Sequence, residues 1–150
     1  MARTPGRSGP IGIIVMVVGI IFAVAGVATY VLVANELANE NITVSEDAKY
    51  FAGQPVNSPW TAWSEAETIS KHALKATGGK TYAELAKDDP LRDTAMQASF
   101  LRASLFTSVV AFGVALLAAV LGVILFLIGF SLRGLARVSG EAAAAADPGY

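Results

Sequence analysis

The chain has 150 residues, room for one domain, and its composition of 54 % hydrophobic and only 15 % charged residues is typical of a membrane protein. The net charge of −1, without a basic stripe, predicts no binding to nucleic acid. The absence of cysteine excludes a disulfide framework and a thiolate metal site.

The first predicted element is an uncharged apolar run from Ile11 to Val33. As a helix it is long enough to cross the hydrocarbon core of a bilayer, which is roughly 30 Å thick. We therefore assign residues 11–34 to a first transmembrane helix and residues 1–10 to a cytoplasmic tail.

A cleaved signal peptide is the alternative interpretation of this run. Arg3 and Arg7 could form its basic region, and Ala25 could end its cleavage site. The apolar run continues well past Ala25, whereas the apolar region of a signal peptide is usually about 7–15 residues long. The sequence therefore favours a retained membrane anchor.

Residues 35–104 form a polar connecting segment, which we predict to be extracytoplasmic and helical. Its first residues are predicted to extend the first helix and then to become extended, before a loop rich in Gly and Pro. Ser58 and Pro59 are typical of the N-cap and first residue of a helix, and Gly78-Gly79 is the expected stop.

This predicted helix has one apolar face, on which Trp60, Trp63 and Ile69 form a possible external docking face. Exposed aromatic residues are enriched at the centres of protein interfaces. Two alternatives remain open for the tryptophans, which are a small apolar core and an anchor among lipid headgroups.

Two further start signals follow in the segment. Thr81 and Glu84 have the spacing of a capping box and predict a short helix. Asp89 and Pro90 then predict the start of another helix, and no Gly or Pro follows until the middle of the second apolar run. We therefore expect one continuous helix from about Pro90 to Leu132.

The second apolar run, residues 105–132, is uncharged and predicts a second transmembrane helix of roughly 42 Å. Residues 133–150 are predicted to be a cytoplasmic tail with a disordered end. Arg133 and Arg137, with the two arginines of the first tail, concentrate basic charge beside the membrane. The positive-inside rule therefore assigns both termini to the cytoplasm.

Small residues recur at steps of three, four and seven in both spans and predict a helix-packing seam. We call this set the small-residue seam: Gly12, Gly19, Ala23 and Gly26 in the first span, with Ser108, Ala111, Ala115, Ala118, Gly122 and Gly129 in the second. Such residues let two helices approach closely within a membrane. We expect the last three of the first set to face Ala111, Ala115 and Ala118 in an antiparallel pair; a second copy or a larger partner is the alternative.

Two stretches carry a resemblance to a known family: Ile42–Val56, which reads ITVSEDAKYFAGQPV, and the later pair KHALKATGGKTYAEL and ASFLRASLFTSVVAFGVALL. Over roughly residues 10–135 the chain resembles small actinobacterial membrane proteins with two spans and an external helical segment. Some members of that family carry the name aromatic ring-opening dioxygenase. Ring opening on iron needs several His and carboxylate ligands, and His72 is the only histidine, so we expect no such activity.

The sequence thus predicts an all-α membrane protein with two antiparallel spans, the second continuous with an external helix. We expect no catalytic, cofactor-binding or metal-binding residue and no cofactor. The favoured function is that of a non-enzymatic accessory or scaffolding subunit of the cell membrane. Its expected partners are the lipid bilayer and another membrane protein or a second copy. The alternatives are a small envelope sensor or ligand-binding protein that uses Trp60 and Trp63, and then a metal-dependent dioxygenase.

Overall fold

The computed structural model describes residues 8–145, and it is all-helical there. Its helices are α1 (Ser8–Asn39), α2 (Pro59–Ala76) and α3 (Arg92–Ala145). Two of them, α1 and α3, are long and apolar enough to cross a membrane by length and composition, as predicted. Arg3 and Arg7, on which the predicted first tail depends, lie outside the described residues.

Contacts within the chain divide it into two compact units. The first takes in α1 up to Ala28 and α3 from Ala115, and the second takes in Thr29–Val114. In the first unit the two helices are antiparallel, because Gly12 lies beside Gly129 and Gly26 lies beside Ala115. Most of their large apolar side chains point away from this contact and are exposed, a distribution that suits an apolar surrounding.

The second unit has a small apolar core built from all three helices and the loop before α2. Val44, Val56, Ala62, Ala66 and Leu105 are buried there. The extended stretch before α2 folds back on itself, since the Val44 N–H donates to the carbonyl of Gln54 and the Val56 N–H to that of Ile42. This pairing satisfies backbone groups that the core would otherwise leave without partners.

The signals predicted for α2 are confirmed. Ser58 is its N-cap and exchanges hydrogen bonds with Thr61, and Pro59 is the first helical residue. At the other end the Gly79 N–H donates to the carbonyl of Leu74, and Gly78 takes the positive φ of 64° that favours glycine.

The short helix predicted after α2 is wrong. The backbone N–H and the hydroxyl of Thr81 do donate to the Glu84 carboxylate, but the chain there forms successive turns. Pro90 disfavours a helical conformation for the residue before it, which leaves too little chain for a stable helix. The Arg92 guanidinium instead donates to the carbonyls of Tyr82 and Leu85 and holds the turns against α3.

The predicted limits of α3 also differ from those observed. The helix begins at Arg92, where the Leu91 N–H donates to the Asp89 carboxylate, and it continues past Leu132 to Ala145. The first part of the predicted tail is therefore helical, as far as Ala145. Alanine, which follows Glu141 and has the highest intrinsic helix propensity, favours this continuation. The residues after Ala145 lie outside the described part of the chain.

Removing volume from the core of the second unit tests this packing. Val56 is fully buried, so Val56→Ala leaves a cavity, and we expect it to lower the free energy of unfolding by about 2 kcal/mol. The matched substitution Val110→Ala removes the same atoms at a position that is 64 % exposed, and we expect little change. Urea unfolding in mild detergent, followed by the fluorescence of the two tryptophans of α2, measures both. Equal effects of the two substitutions would contradict the described core.

Candidate functional site

The contact between α1 and α3 in the first unit is made by glycines seven residues apart. Gly12, Gly19 and Gly26 are all buried on α1. A Cβ atom added to Gly19 would lie 2.5 Å from the backbone nitrogen of Phe126 and 2.6 Å from the carbonyl oxygen of Gly122. Carbon atoms do not approach backbone atoms so closely, so only glycine fits here without moving the helices apart.

The facing helix uses the same spacing, with Ala115, Gly122 and Gly129 buried on α3. A Cβ atom on Gly122 would lie 2.6 Å from the carbonyl oxygen of Gly19, and one on Gly129 would lie 2.5 Å from that of Gly12. The contact is therefore reciprocal, with backbone packed on backbone along both helices. Weak Cα–H···O contacts recur at helix–helix interfaces of this kind.

The register of the pair differs from the expected one by about one helical turn. Gly26 lies against Ala115 and Ala119. Ala23 lies against Gly122. The closest packing therefore follows the glycines, and the alanine row that we expected to face them is displaced.

The remaining members of the small-residue seam lie outside the closest contact between the helices or in the second unit. Ala118 is half-buried, and Ser108 and Ala111 are half-buried within the second unit. Sequence reasoning missed Ala119 and Phe126, whose backbones receive Gly26 and Gly19. Their spacing of seven residues is a signal that could have identified them.

The three residues of the predicted docking face differ in their exposure to solvent. Trp60 is 69 % exposed and Trp63 is 41 % exposed, so neither tryptophan belongs to the core. Ile69 is half-buried and packs against the core cluster. The buried side of α2 instead carries small and polar residues, which are Thr61, Ala62, Ser64, Glu65, Ala66 and Thr68.

Buried polar groups on α2 are held by specific hydrogen bonds. The Glu65 carboxylate accepts from the backbone N–H of Ser45 at 2.7 Å and from its hydroxyl at 3.0 Å. The Ser64 hydroxyl donates to the carbonyl of Tyr50 at 2.7 Å. These contacts fix the loop before α2 on the helix, and they account for a buried carboxylate without a catalytic role.

Within the second unit, the two halves of α2 pack at different levels of α3. Ala62 and Ala66, near its start, share the core with Leu105, where the uncharged run of α3 begins. Ala73 and Ala76, near its end, line a cleft with Thr94, Gln97, Ala98 and Leu101. Trp60 therefore lies at the level of the first turns of the apolar run.

A second cleft, on the other side of α2, is lined by two cationic side chains. Lys80 and Arg102 line it together with Tyr82 and Ser99, and its volume is about 320 Å³. Hydrogen bonds from Thr81 and, to a smaller extent, the charge of Lys80 lower the pKa of the nearby Glu84 carboxyl. Neither cleft is lined by Trp60 or Trp63.

His72 pairs with a carboxylate across the surface of the second unit. Its Nε2 lies 2.7 Å from Oδ2 of Asp47, and both side chains are at least half exposed. The hydrogen bond from His72 lowers the pKa of Asp47 below its ordinary value. In residues 8–145 no group of three His, Asp or Glu side chains is arranged to hold a metal ion.

Within residues 8–145 the fold is thus all-helical, with two helices long and apolar enough to cross a membrane and α2 between them in sequence. No protein-family model matches the chain, and no curated protein or solved structure shows significant similarity to it.

The glycine contact yields a direct prediction. A Cβ atom at Gly122 would meet the backbone of Ala23, so Gly122→Ala should destabilise the helix pair by about 1–3 kcal/mol. The matched control is Gly113→Ala on the same helix, where a Cβ atom meets nothing within 4 Å and the helix propensity of alanine favours stability. Circular dichroism during titration of detergent micelles with dodecyl sulfate measures both. A Gly122→Ala protein as stable as the Gly113→Ala control would refute the close contact.

The pair of Asp47 and His72 predicts a pH dependence at acidic pH. Because the folded-state pKa of Asp47 is lowered from 3.8, its stabilising contribution is present above pH 3.8 and is lost as the pH falls through the lower folded-state pKa. We expect His72→Phe to return the pKa towards 3.8, as measured by ¹³C NMR of the aspartate carboxyl carbons. Lys75→Gln is the control and should change it less, since the charge of Lys75 is a minor cause. An unchanged pKa in His72→Phe would contradict the pairing.

Proposed function

We propose that this chain is an integral membrane protein, anchored by two helices, that serves as a non-enzymatic accessory or scaffolding subunit. In this proposal both termini are cytoplasmic, and the extracytoplasmic residues 35–104 present helical surfaces to a membrane partner. The apolar helices of the first unit support the anchoring, since their exposed side chains suit contact with lipid.

The proposal of a membrane partner rests on one observation, which is the exposure of both tryptophans on α2. The helix packs its small side chains inward, around Ala62 and Ala66, and turns its two largest apolar side chains outward. Tyr50 and Phe51 are exposed in the same unit, at 49 % and 42 %. A small unit gains no stability from exposed aromatic residues, whereas interfaces are enriched in them.

The level of Trp60 relative to α3 favours a partner that is itself in the membrane. The start of α2 packs beside Leu105, so its tryptophans lie where the apolar run of α3 begins. A surface at this level would meet either lipid headgroups or the external edge of another membrane protein. We propose that another membrane protein or a second copy covers it.

The proposed orientation depends on the distribution of basic residues. Arg133 and Arg137 follow the apolar run of α3 directly, whereas residues 35–104 contain an excess of acidic residues. Basic residues near the ends of spans are retained on the cytoplasmic side. The resemblance to actinobacterial membrane proteins with two spans and an external segment implies the same arrangement, and we propose that resemblance together with the orientation.

A sensor or ligand-binding function is the second candidate. The cleft between α2 and α3 supports it, because Lys80, Arg102 and Ser99 offer donors around a volume of about 320 Å³. Its lining differs from the expected one, which used Trp60 and Trp63. A dioxygenase function gains no support, since His72 has only Asp47 as an acidic partner among the described residues.

Site-specific photo-crosslinking in cells tests the docking face. A benzophenone amino acid placed at Trp60 or Trp63 should give a discrete adduct with one protein. The same group at Lys71, whose side chain is 56 % exposed and pairs with Glu67, is the control and should give none. Adducts with lipid alone would identify the tryptophans as a headgroup anchor and would contradict the proposed partner.

The membrane location is tested separately. We expect the protein to stay in the membrane pellet after extraction with alkaline carbonate, and a cysteine introduced at Gly140 to be protected from an impermeant maleimide in intact cells. A cysteine at Lys71 should be labelled. Release by carbonate, or the reverse labelling pattern, would refute the anchoring or the orientation.

A further inference from the structure

A small groove opens on the first unit, where the uncharged run of α3 ends. It is lined by Met16 of α1 and by Phe130, Arg133, Gly134 and Arg137 of α3, and its volume is about 150 Å³. The α3 residues follow at steps of three, one and three, so they share one face of the helix. The groove is therefore mainly apolar, and two arginine side chains line it on the α3 side.

The two arginines are the cations of this unit in the described residues. No charge precedes them between residues 8 and 28 or between residues 115 and 132, and Glu141 is the one acidic residue that follows up to residue 145. Neither arginine forms a salt bridge there. Arg133 and Arg137, one helical turn apart, thus offer donors that have no carboxylate partner within residues 8–145.

Gly134 gives the groove its depth. A Cβ atom added there would meet nothing within 4 Å, so this glycine is not required by helix packing, in contrast to Gly122 and Gly129. It leaves a gap between two long cationic side chains. A larger side chain at this position would occupy the groove and leave the contact between α1 and α3 unchanged.

We infer that this groove binds the headgroup phosphate of an anionic phospholipid. The guanidinium groups hold the phosphate by charge-assisted hydrogen bonds, and the first methylenes of the acyl chains lie on Met16 and Phe130. Basic pockets between transmembrane helices at the cytoplasmic side are suited to such headgroups. This inference rests on the proposed membrane anchoring.

The apolar floor distinguishes a lipid from free phosphate as the ligand. Inorganic phosphate would use the guanidinium groups alone and would gain nothing from Met16 and Phe130, the latter being 63 % exposed. A phospholipid uses both parts of the groove at once. We therefore expect phosphatidylglycerol to bind and inorganic phosphate at the same concentration not to bind.

Native mass spectrometry of the full chain in mild detergent tests the inference. With phosphatidylglycerol and phosphatidylcholine of the same acyl chains, we expect the wild-type protein to retain the anionic lipid preferentially. Arg133→Gln and Arg137→Gln should each weaken that binding about fivefold. Lys87→Gln removes one exposed cation from the second unit and, as the matched control, should leave the preference unchanged.

A second variant keeps both arginines and blocks the groove. Gly134→Leu should abolish the preference for phosphatidylglycerol without lowering thermal stability, and Gly113→Leu, also in open space, should preserve it. Equal retention of the two lipids by the wild-type protein, or an equal loss in Lys87→Gln, would overturn the inference. Carbonate extraction keeps the two proposals apart, because a protein that resists extraction but shows no lipid preference refutes this inference alone.

Discussion

Direct contact between the backbones of α1 and α3 is the constraint on which the first unit depends. In the proposed membrane location there is no hydrophobic force between helices, so their association would rely on close van der Waals packing. Gly19 and Gly122 bring the two backbones together reciprocally, and their neighbours seven residues away repeat the contact. Polar side chains take no part in it, since the Ser131 hydroxyl donates to the carbonyl of Leu127 in its own helix. The close approach of α1 and α3 therefore depends on glycines, which carry no side chain.

The second unit, in contrast, depends on a core that has few large buried side chains. Val44, Val56 and Phe112 are the largest fully buried ones, and Tyr30 packs on Phe112 with ring centroids 4.8 Å apart. Small units without disulfides or metals gain little stability from their cores. Hydrogen bonds from Ser45 to Glu65 add specificity by fixing the loop on α2. Placing Trp60 inside would have added apolar area, so its exposure is a cost that the proposed docking face would explain.

The sequence predicted the features that depend on local chemistry. Ser58, Pro59 and Gly78 marked the ends of α2, and uncharged runs marked the two long helices, because caps and hydropathy act within a few residues. The buried face of α2 was not predictable in this way. Which of its residues are buried depends on how closely α3 approaches, and only small side chains such as Ala62 fit beside Leu105. The register of the glycine contact was not predictable for a similar reason, since small residues recur along α3 and only the position of α1 decides which of them it meets.

Glycines on α3 illustrate why residue type alone does not define a role. Gly122 and Gly129 admit no Cβ atom, because the backbone of α1 occupies that space, whereas Gly134 faces open space. The first two remove a steric barrier between helices, and the third removes a side chain from between two arginines. The same substitution to alanine would thus separate the helices at one position and leave their contact intact at the other. The end of the apolar run is where these two uses meet, since Gly129 completes the helix contact and Phe130 begins the groove. The contact between α1 and α3 consequently fixes the position of Phe130, which lines the groove.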